Sequence, residues 1–343
     1  MMFKDNFRIF LLLLLSTLIP FILIEFILKI VNYPYQGCKT ITKSAEYELG
    51  KFDEITGWSY KNDLSYLSKR KDFSYYFNDK GIRVRAEKLS VDFNKPRIVF
   101  IGGSVTFGEE LNYDQIFSSQ INSLLDNKYE IVNLGVQGFG SVQSMLQLDK
   151  YIEYIKPDFV VYTFIPDHLR RDVNHDRRLH YKCFEYAGTK PVFSVLDGEL
   201  KQLMYPQKYS YTDKIKLFLF INNSYHLFRE NNLLTDGSGI EVTKKVIDQM
   251  NLLSDNVKAK QYFIFYDTVY DNSKDGWNDE LYRNLFSNKY ENKTLKFYNW
   301  AQDSELIGKK YFVNDNDDYH PNASLSAVLA EEFIKKFKID FDF

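Results

Sequence analysis

A short apolar strand that runs directly into two glycines and a serine constrains this chain more than any other stretch. After Lys95-Pro96, the strand candidate Ile98-Val99-Phe100-Ile101 is followed by Gly102-Gly103-Ser104. Four consecutive apolar residues between turn signals are typical of a buried strand in a parallel sheet. In an open α/β sheet, ligands bind at the carboxyl ends of the strands, where glycines allow a tight turn. We therefore expect Ser104 at a crevice, either as a nucleophile or as the solvated hydroxyl of a simple turn.

Strands and helices alternate after this turn, which predicts a sheet with helices on both faces. The predicted strands span residues 98–101, 129–134, 158–164, 261–266 and 295–300, and the predicted helices span 115–125, 141–155, 241–253 and 323–337. Successive βα units imply parallel strands joined by right-handed crossovers. The predicted fold class is a three-layer α/β/α sandwich of flavodoxin-like type, with a mostly parallel sheet of about five strands.

Two regions depart from this alternation. Residues 33–95 are polar and aromatic, with short strand candidates and an Asn-Asp-Lys-Gly turn at 78–81. We expect them to form a β-rich lead-in packed against a main domain at 96–343. Residues 170–240 interrupt the main domain, and we expect an insertion or lid over the carboxyl edge of the sheet. The apolar segment Lys214–Ile221 within it is too short to span a membrane.

A long apolar run near the N-terminus predicts a transmembrane helix. Residues 9–32 are almost wholly apolar and long enough to cross a hydrocarbon core of about 30 Å. Lys4 and Arg8 precede the run, which favours a cytoplasmic N-terminus. Because no small-residue cleavage site follows it, residues 1–32 are predicted to be an uncleaved signal anchor, with the remaining chain outside the cytoplasm. Glu25 is costly inside such a span, so we expect it near the outer interface or protonated.

Charge and cysteine content narrow the function classes further. The net charge is −2 and the pI is about 6.3, so the chain lacks the basic footprint of a nucleic-acid-binding protein. Cys38 and Cys183 are the two cysteines. Outside the cytosol they could pair, but sequence does not show whether they approach each other, so two unpaired thiols remain equally open.

An acidic turn near the C-terminus, Asn314–Asn322, carries a second candidate set. Asp317 and His320 are three residues apart, which makes them neighbours in a tight turn or a first helical turn. A carboxylate there can fix the imidazole tautomer and leave the other ring nitrogen as a general base. Two other interpretations stay open: an Asp-rich helix start with an incidental histidine, and a metal site. The metal site would use Asp315, Asp317, Asp318 and His320, and no other His or Asp cluster completes it.

Three segments together resemble the sequence blocks of the SGNH/GDSL hydrolase superfamily. Gly102–Gly108 resembles the first block, with Gly103 where Asp is usual, and Asn133–Gly138 is similar to the second. Asp317–Asn322 is similar to the last block, D-x-x-H-P-N, which precedes a final helix. The resemblance covers about residues 50–337 and implies the SGNH fold, in agreement with the strand and helix pattern.

The resemblance also implies roles for individual residues. Ser104 attacks an ester carbonyl, His320 takes its proton and returns it to the leaving alcohol, and Asp317 orients His320. The oxyanion is held by the backbone N–H groups of Ser104 and of Gly138, or less favourably of Gly135. Neither a metal nor an organic cofactor is implied, because such a set is sufficient for acyl transfer.

The chain departs from the family pattern at the third block, G-x-N-D. In the family, the side-chain amide of this Asn is a further donor to the oxyanion. The chain has Phe164-Ile165-Pro166-Asp167-His168 after the third strand, and Pro166 has neither an amide side chain nor a backbone N–H. His168 is the preferred substitute for the missing donor; a two-donor hole or a degenerate site are the other outcomes. Arg170 and Arg171 are further donor candidates, and they would contact an anionic substrate or lipid headgroup unless they form a solvated basic face.

The resemblance thus implies a membrane-anchored, extracytoplasmic serine esterase that acts on a carbohydrate O-acyl ester or a lipid ester. One alternative is an O-acyltransferase that modifies cell-envelope or exported polysaccharide with the same Ser104. The other is a catalytically inactive SGNH-like domain that binds glycan or protein, which the departure at Pro166 favours. The expected partners are the ester substrate and, through residues 9–32, the membrane.

Overall fold

A computed structural model describes most of the chain. It covers residues 2–31, 33, 49–68, 72–86, 90–177, 188–208, 215–235, 237–267, 277–297, 313 and 320–341. The predictions for Cys38 and Cys183, and those for Asp315, Asp317 and Asp318, lie outside the described residues.

An eight-stranded sheet stands at the centre of the described structure. Eight of the twelve strands in the described residues form this sheet. The twelve strands are β1 (Gly50–Asp53), β2 (Gly57–Tyr60), β3 (Ser65–Leu67), β4 (Ser74–Phe77), β5 (Arg83–Val84), β6 (Arg97–Gly102), β7 (Glu130–Asn133), β8 (Phe159–Phe164), β9 (Val192–Leu196), β10 (Glu199–Met204), β11 (Lys260–Tyr266) and β12 (Thr294–Phe297). The order across the central sheet is β12-β11-β8-β6-β7-β5-β4-β3. The five strands from β12 to β7 are parallel, and β1–β2 and β9–β10 form separate antiparallel hairpins.

The five parallel strands agree with the sequence prediction. The predicted number of about five strands is wrong for the whole sheet, which has eight. Strands β3, β4 and β5 extend it as an antiparallel edge beyond β7. The join is narrow, because β5 has two residues and pairs with β7 through Arg83 and Asn133. A strand of two residues has no alternation that a sequence pattern could reveal.

Helices cover both faces of the sheet, which confirms the predicted three-layer α/β/α class. The helices are α1 (Met2–Ile30), α2 (Ser104–Phe107), α3 (Phe117–Leu124), α4 (Ser141–Ile155), α5 (Asp167–Val173), α6 (Lys216–Thr235), α7 (Ser238–Asn256), α8 (Trp277–Tyr282) and α9 (Ala323–Phe341). On β6, Val99 and Ile101 pack with α4 and α7, whereas Ile98 and Phe100 pack with α3 and α9. Alternate residues of one strand therefore serve opposite layers, as the two-residue period of a strand requires.

A third apolar cluster joins the N-terminal strands to the loops at the carboxyl edge of the sheet. Trp58 and Tyr60 of β2 pack in this cluster with Phe107 of α2 and Phe139 of the loop after β7. Trp58 Nε1 donates to the Gln137 carbonyl at 3.1 Å, and the Tyr60 hydroxyl accepts from the Gln137 N–H at 3.0 Å. These contacts hold the two loops that carry the candidate site.

Helix α1 is long and apolar enough to cross a membrane, judged by length and composition over Asn6–Ile30. A signal sequence would meet the same criterion. The helix contacts α6 near its end, where the Glu25 carboxylate accepts hydrogen bonds from the backbone N–H groups of Lys216 and Leu217. The described part of residues 170–240 contains the end of α5, the β9–β10 hairpin and α6.

Candidate active site

The turn after β6 places Ser104 at the carboxyl edge of the sheet. Gly102 has a φ of +152°, and a Cβ there would collide with the side chain of Thr106, so the turn requires glycine. Ser104 follows as the first residue of the one-turn helix α2, and its side chain is buried. This is the position at which an open α/β sheet binds its ligands.

The structure brings Ser104 and His320 together, although 216 residues separate them. The Ser104 Oγ lies 2.7 Å from the His320 Nε2. His320 is buried and stands immediately before Pro321 and helix α9, and its carbonyl accepts the N–H of Val313 at 3.1 Å. A neutral Nε2 with a lone pair can accept the hydroxyl proton at this distance. The residue predicted to orient the ring, Asp317, lies outside the described residues.

A carboxylate that the sequence analysis missed lies against the same ring nitrogen. Glu109 Oε2 is 3.1 Å from His320 Nε2, and the Glu109 side chain is partly exposed. The geometry follows from the shortness of α2: the Ser104 carbonyl accepts the N–H groups of both Gly108 and Glu109, which folds the chain back toward the serine. The available signal was Glu109 directly after Gly108, the last residue of the first block, since a glycine that ends a one-turn helix returns the next side chain toward the start of that helix.

The backbone candidates for an oxyanion hole differ in their hydrogen bonding. The Gly135 N–H donates to Asn133 Oδ1 at 2.9 Å, so this donor is already engaged. Asn133 Nδ2 in turn donates to the Thr106 carbonyl at 2.8 Å, which ties the loop after β7 to α2. Gly138 lies farther along that loop, and its carbonyl accepts from Arg177 Nη1 at 3.2 Å.

His168 lies directly beside the residue that precedes the serine. Its Nε2 is 3.0 Å from the point where a Cβ on Gly103 would stand. Its Nδ1 is 2.8 Å from the Tyr162 hydroxyl, whereas Nε2 is buried and has no hydrogen-bond partner among the described residues. Burial lowers the pKa of His168 well below its usual range, and the nearby Arg171 charge lowers it further, so the ring is neutral.

Arg170 and Arg171 are both paired with Asp167. Arg171 is buried, with Nε donating to Asp167 Oδ2 at 2.6 Å and Nη1 donating to the Phe139 carbonyl at 3.0 Å. Arg170 is partly exposed and lies 2.8 Å from Asp167 Oδ1. Burial alone would raise the pKa of Asp167, but the two arginines hold it well below its usual range. Asp167, Arg170 and Arg171 therefore form an ion cluster beside the turn that precedes Ser104, and Arg170 is its more exposed member.

A groove is lined by residues that lie near Ser104 and His320 in the sequence, although neither of the two lines it. The groove has a volume of about 300 Å³, and its lining includes Phe73, Glu110, Val313 and Asn322. Among the described residues, no group of three His, Cys, Asp or Glu side chains could hold a metal ion. The metal interpretation stays untested, because Asp315, Asp317 and Asp318 lie outside the described residues.

Comparison with known proteins gives structural neighbours only. No protein-family model and no curated protein sequence matches the chain. The solved structures that are similar include esterase EstA from Pseudoalteromonas sp., with 12% identity, 71% of this chain and 98% of that chain covered, and a TM-score of 0.42. The acetylxylan esterase Axe2 from Geobacillus stearothermophilus has 12% identity, 70% and 93% coverage, and a TM-score of 0.42.

A third similar structure, from Desulfitobacterium hafniense DCB-2, is described as a lipolytic protein of the G-D-S-L family. It has 11% identity, 71% and 99% coverage, and a TM-score of 0.40. Two of these three similar structures are described as esterases and the third as a lipolytic protein.

Proposed function

We propose that this chain is a serine hydrolase that cleaves an ester bond through Ser104, His320 and Asp317. The observation that carries the proposal is the 2.7 Å distance between Ser104 Oγ and His320 Nε2 at the carboxyl edge of a parallel sheet. A nucleophile and a base within hydrogen-bond reach are the signature of covalent acyl-transfer catalysis. Asp317 keeps the role that the family resemblance implies, which is to hold the other ring nitrogen.

The reaction proceeds in two half-reactions. His320 Nε2 accepts the Ser104 proton while Oγ attacks the ester carbonyl, and the imidazolium then donates that proton to the departing alcohol. Water replaces the alcohol, gives its proton to Nε2 and attacks the acyl-serine. The acid leaves as Ser104 recovers its proton, so no oxidant, reductant or cofactor is consumed.

The negative charge of the tetrahedral intermediate requires pre-aimed donors. We assign the backbone N–H groups of Ser104 and Gly138, because the N–H of Gly135 is engaged by Asn133. His168 is the third donor: when the Tyr162 hydroxyl donates to Nδ1, the buried Nε2 carries a proton and has no described partner. A neutral imidazole in this place substitutes for the amide that Pro166 removes.

The proposed substrate is a carbohydrate O-acyl ester or a lipid ester, which we infer from the family resemblance together with the proposed extracytoplasmic location. In this proposal α1 crosses the membrane once, with the N-terminus cytoplasmic as Lys4 and Arg8 favour. Arg170, the more exposed of the two arginines paired with Asp167, is the proposed contact for an anionic group of the substrate.

A fluorophosphonate probe tests the proposal without a guess about the substrate. The full chain in detergent is treated with the probe beside the variants Ser104→Ala, His320→Ala and Ser118→Ala. Ser118 is a buried serine on α3, outside the site, and serves as the matched control. Labelling that vanishes in the first two variants and persists in the third supports an activated Ser104.

An unlabelled but folded wild-type chain would contradict the proposal and favour a glycan- or protein-binding domain. Where labelling succeeds, an acylated glycan donor is supplied with and without a glycan acceptor. Release of free acid in both cases supports an esterase, whereas acyl transfer to the acceptor indicates an O-acyltransferase.

A further inference from the structure

Helix α6 exposes apolar side chains and buries polar ones. One face is exposed and apolar, and we call it the apolar stripe; its residues are 54–69% exposed and comprise Phe218, Ile221, Tyr225 and Phe228. Their spacing of three, four and three residues places them on one side of the helix. The opposite, buried face carries Leu219 and then the polar residues Asn223, His226 and Glu230. A surface helix of a soluble protein has the reverse arrangement, with its apolar side toward the core.

The buried polar face fixes the rotation of α6. Glu230 Oε2 accepts from Asn174 Nδ2 at 3.1 Å, and the rings of His226 and His175 lie with centroids 4.9 Å apart. Arg229 Nη2 donates to the Val173 carbonyl at 3.0 Å. Rotating the helix to bury the apolar stripe would remove the Glu230 acceptor from the Asn174 amide and the Arg229 donor from the Val173 carbonyl. These contacts hold the apolar stripe on the outer side of the helix.

The N-terminus of α6 is attached to the end of α1. The Glu25 carboxylate accepts from the N–H of Lys216 at 3.1 Å and from that of Leu217 at 2.8 Å, and it pairs with Lys29 at 3.0 Å. A carboxylate is a favoured partner for the unsatisfied N–H groups at a helix start. This contact gives a reason for an acidic residue in an otherwise apolar helix.

The attachment sets the depth of α6. Glu25 precedes the last residue of α1, Ile30, by five positions, which is about 7.5 Å along a helix. Helices that lie in the plane of a membrane insert their apolar side by roughly 5–10 Å. The first turns of α6 are thus level with the last turns of α1.

The surface around the stripe suits lipid. From Ile215 to Phe228, all of which the structure describes, none of the exposed residues is charged. The apolar side chains of α1 are themselves exposed, and α1 contacts the start of α6 through Glu25, so the two apolar surfaces lie next to each other. A bilayer that takes up α1 covers the stripe at the same time.

We propose that the apolar stripe of α6 is an interfacial membrane contact, lying in the headgroup and upper acyl region of the bilayer that α1 crosses. It rests on the proposed membrane anchoring and not on the proposed ester chemistry. With α1 it gives two points of attachment, which fix the orientation of the sheet instead of leaving it on a flexible tether. Because the inner face of α6 contacts Val173 and Asn174 at the end of α5, the segment that carries His168 is held close to the membrane surface.

Depth measurements on the full chain test this contact. Single cysteines are introduced at Ile221, Phe228, Leu14 and Leu124 in a background where Cys38 and Cys183 are serine, and each is labelled with an environment-sensitive fluorophore. Leu14 lies in α1, and Leu124 is an exposed residue of α3 that serves as the control outside the stripe. The protein is placed in vesicles of phosphatidylcholine and phosphatidylglycerol that contain nitroxide lipids with the quencher at a shallow or a deep position.

The expected result is strong deep quenching at Leu14, shallow quenching with a blue shift at Ile221 and Phe228, and none at Leu124. The variant Glu25→Ala is expected to reduce quenching at Ile221 while leaving Leu14 unchanged. If Leu14 is quenched but Ile221 and Phe228 behave like Leu124, the interfacial contact is wrong and the anchor stands. If Leu14 is not quenched, the anchoring itself fails. Energy transfer between labelled copies at Phe228, without lipid quenching, would show that a second copy covers the stripe and would overturn the proposal.

Discussion

Glu109 Oε2 lies 3.1 Å from the same His320 nitrogen that faces Ser104 at 2.7 Å. Nε2 has either one lone pair or one proton, so it cannot accept from the serine and donate to the carboxylate at once. A protonated ring is bound by Glu109 and leaves the serine without a base. A neutral ring accepts the serine proton. The balance between these two states sets the pH at which the site can act.

Replacement of Glu109 with glutamine is expected to extend activity to lower pH. A carboxylate close to a ring nitrogen favours the imidazolium, so it keeps the base protonated up to a higher pH. Removing the charge should move the acid limb of the kcat/KM profile to lower pH. The profile is measured between pH 4 and 9 on the ester substrate found by screening.

Glu153→Gln is the matched control, because it removes one carboxylate from an exposed position on α4, outside the site. The control profile should superpose on that of the wild type. An acid limb that stays in place or rises in Glu109→Gln would show that Glu109 does not act on His320.

Loss of Ser104 or His320 is expected to remove nearly all turnover. Removing the nucleophile or the base of such a unit costs on the order of 10⁴–10⁶ in kcat. The two losses should not add, since each alone disables the same proton transfer. The variants Ser104→Ala, His320→Ala and the double variant are compared by single-turnover kinetics. A double variant far slower than either single variant would indicate that the two residues act independently.

His168 should contribute to kcat and leave KM nearly unchanged, because an oxyanion donor acts mainly in the transition state. His168→Phe is expected to lower kcat by about 10²–10³. His168→Asn supplies an amide donor and should recover part of the loss. Because burial keeps the pKa of His168 well below its usual range, neither variant should move the pH profile.

Tyr162→Phe is a useful companion variant, since it removes the hydroxyl beside His168 Nδ1 and leaves the ring in place. A smaller fall in kcat is expected there, with the melting temperature measured for every variant. If His168→Asn is as slow as His168→Phe while both remain folded, the ring only fills space beside Gly103 and the hole has two donors.

The parts of this fold that local patterns determine could be predicted from the sequence. The five parallel strands are continuous apolar runs between turn signals, so their positions could be predicted from the sequence. The predicted turn at 78–81 joins β4 and β5. The pairing of β5 with β7 could not be predicted, because it depends on a tertiary contact between Arg83 and Asn133. Helix α6 shows why burial is harder still: its apolar and polar residues alternate with a helical period, but nothing local says that the polar face is the buried one.

The candidate site divides in the same way. Ser104 and His320 stand next to recognisable turns, and the family resemblance paired them. Glu109 could not be assigned, because its approach to His320 depends on the one-turn length of α2. The engagement of the Gly135 N–H by Asn133 was equally hidden, since it requires the fold of the loop after β7.

Asp53 is expected to stabilise the N-terminal hairpin in a pH-dependent way. Its Oδ1 accepts from the N–H groups of Ile55 and Thr56, and its Oδ2 pairs with Lys150 of α4 at 2.8 Å. Burial alone would raise the pKa of Asp53, but the Lys150 contact and the backbone donors lower it to about 2. The stabilisation is therefore complete above the unfolded pKa of about 4 and is lost as pH falls toward 2.

Asp53→Asn should lower the free energy of unfolding by about 1–2 kcal/mol at pH 7, with the difference from wild type shrinking between pH 4 and pH 2. The comparison uses urea unfolding of the full chain in detergent at several pH values. Glu54→Gln, a change at the exposed neighbour, is the control and should leave the free energy unchanged. A difference between Asp53→Asn and wild type that stays constant down to pH 2 would mean that the carboxylate charge contributes nothing and that only the shape of the turn matters.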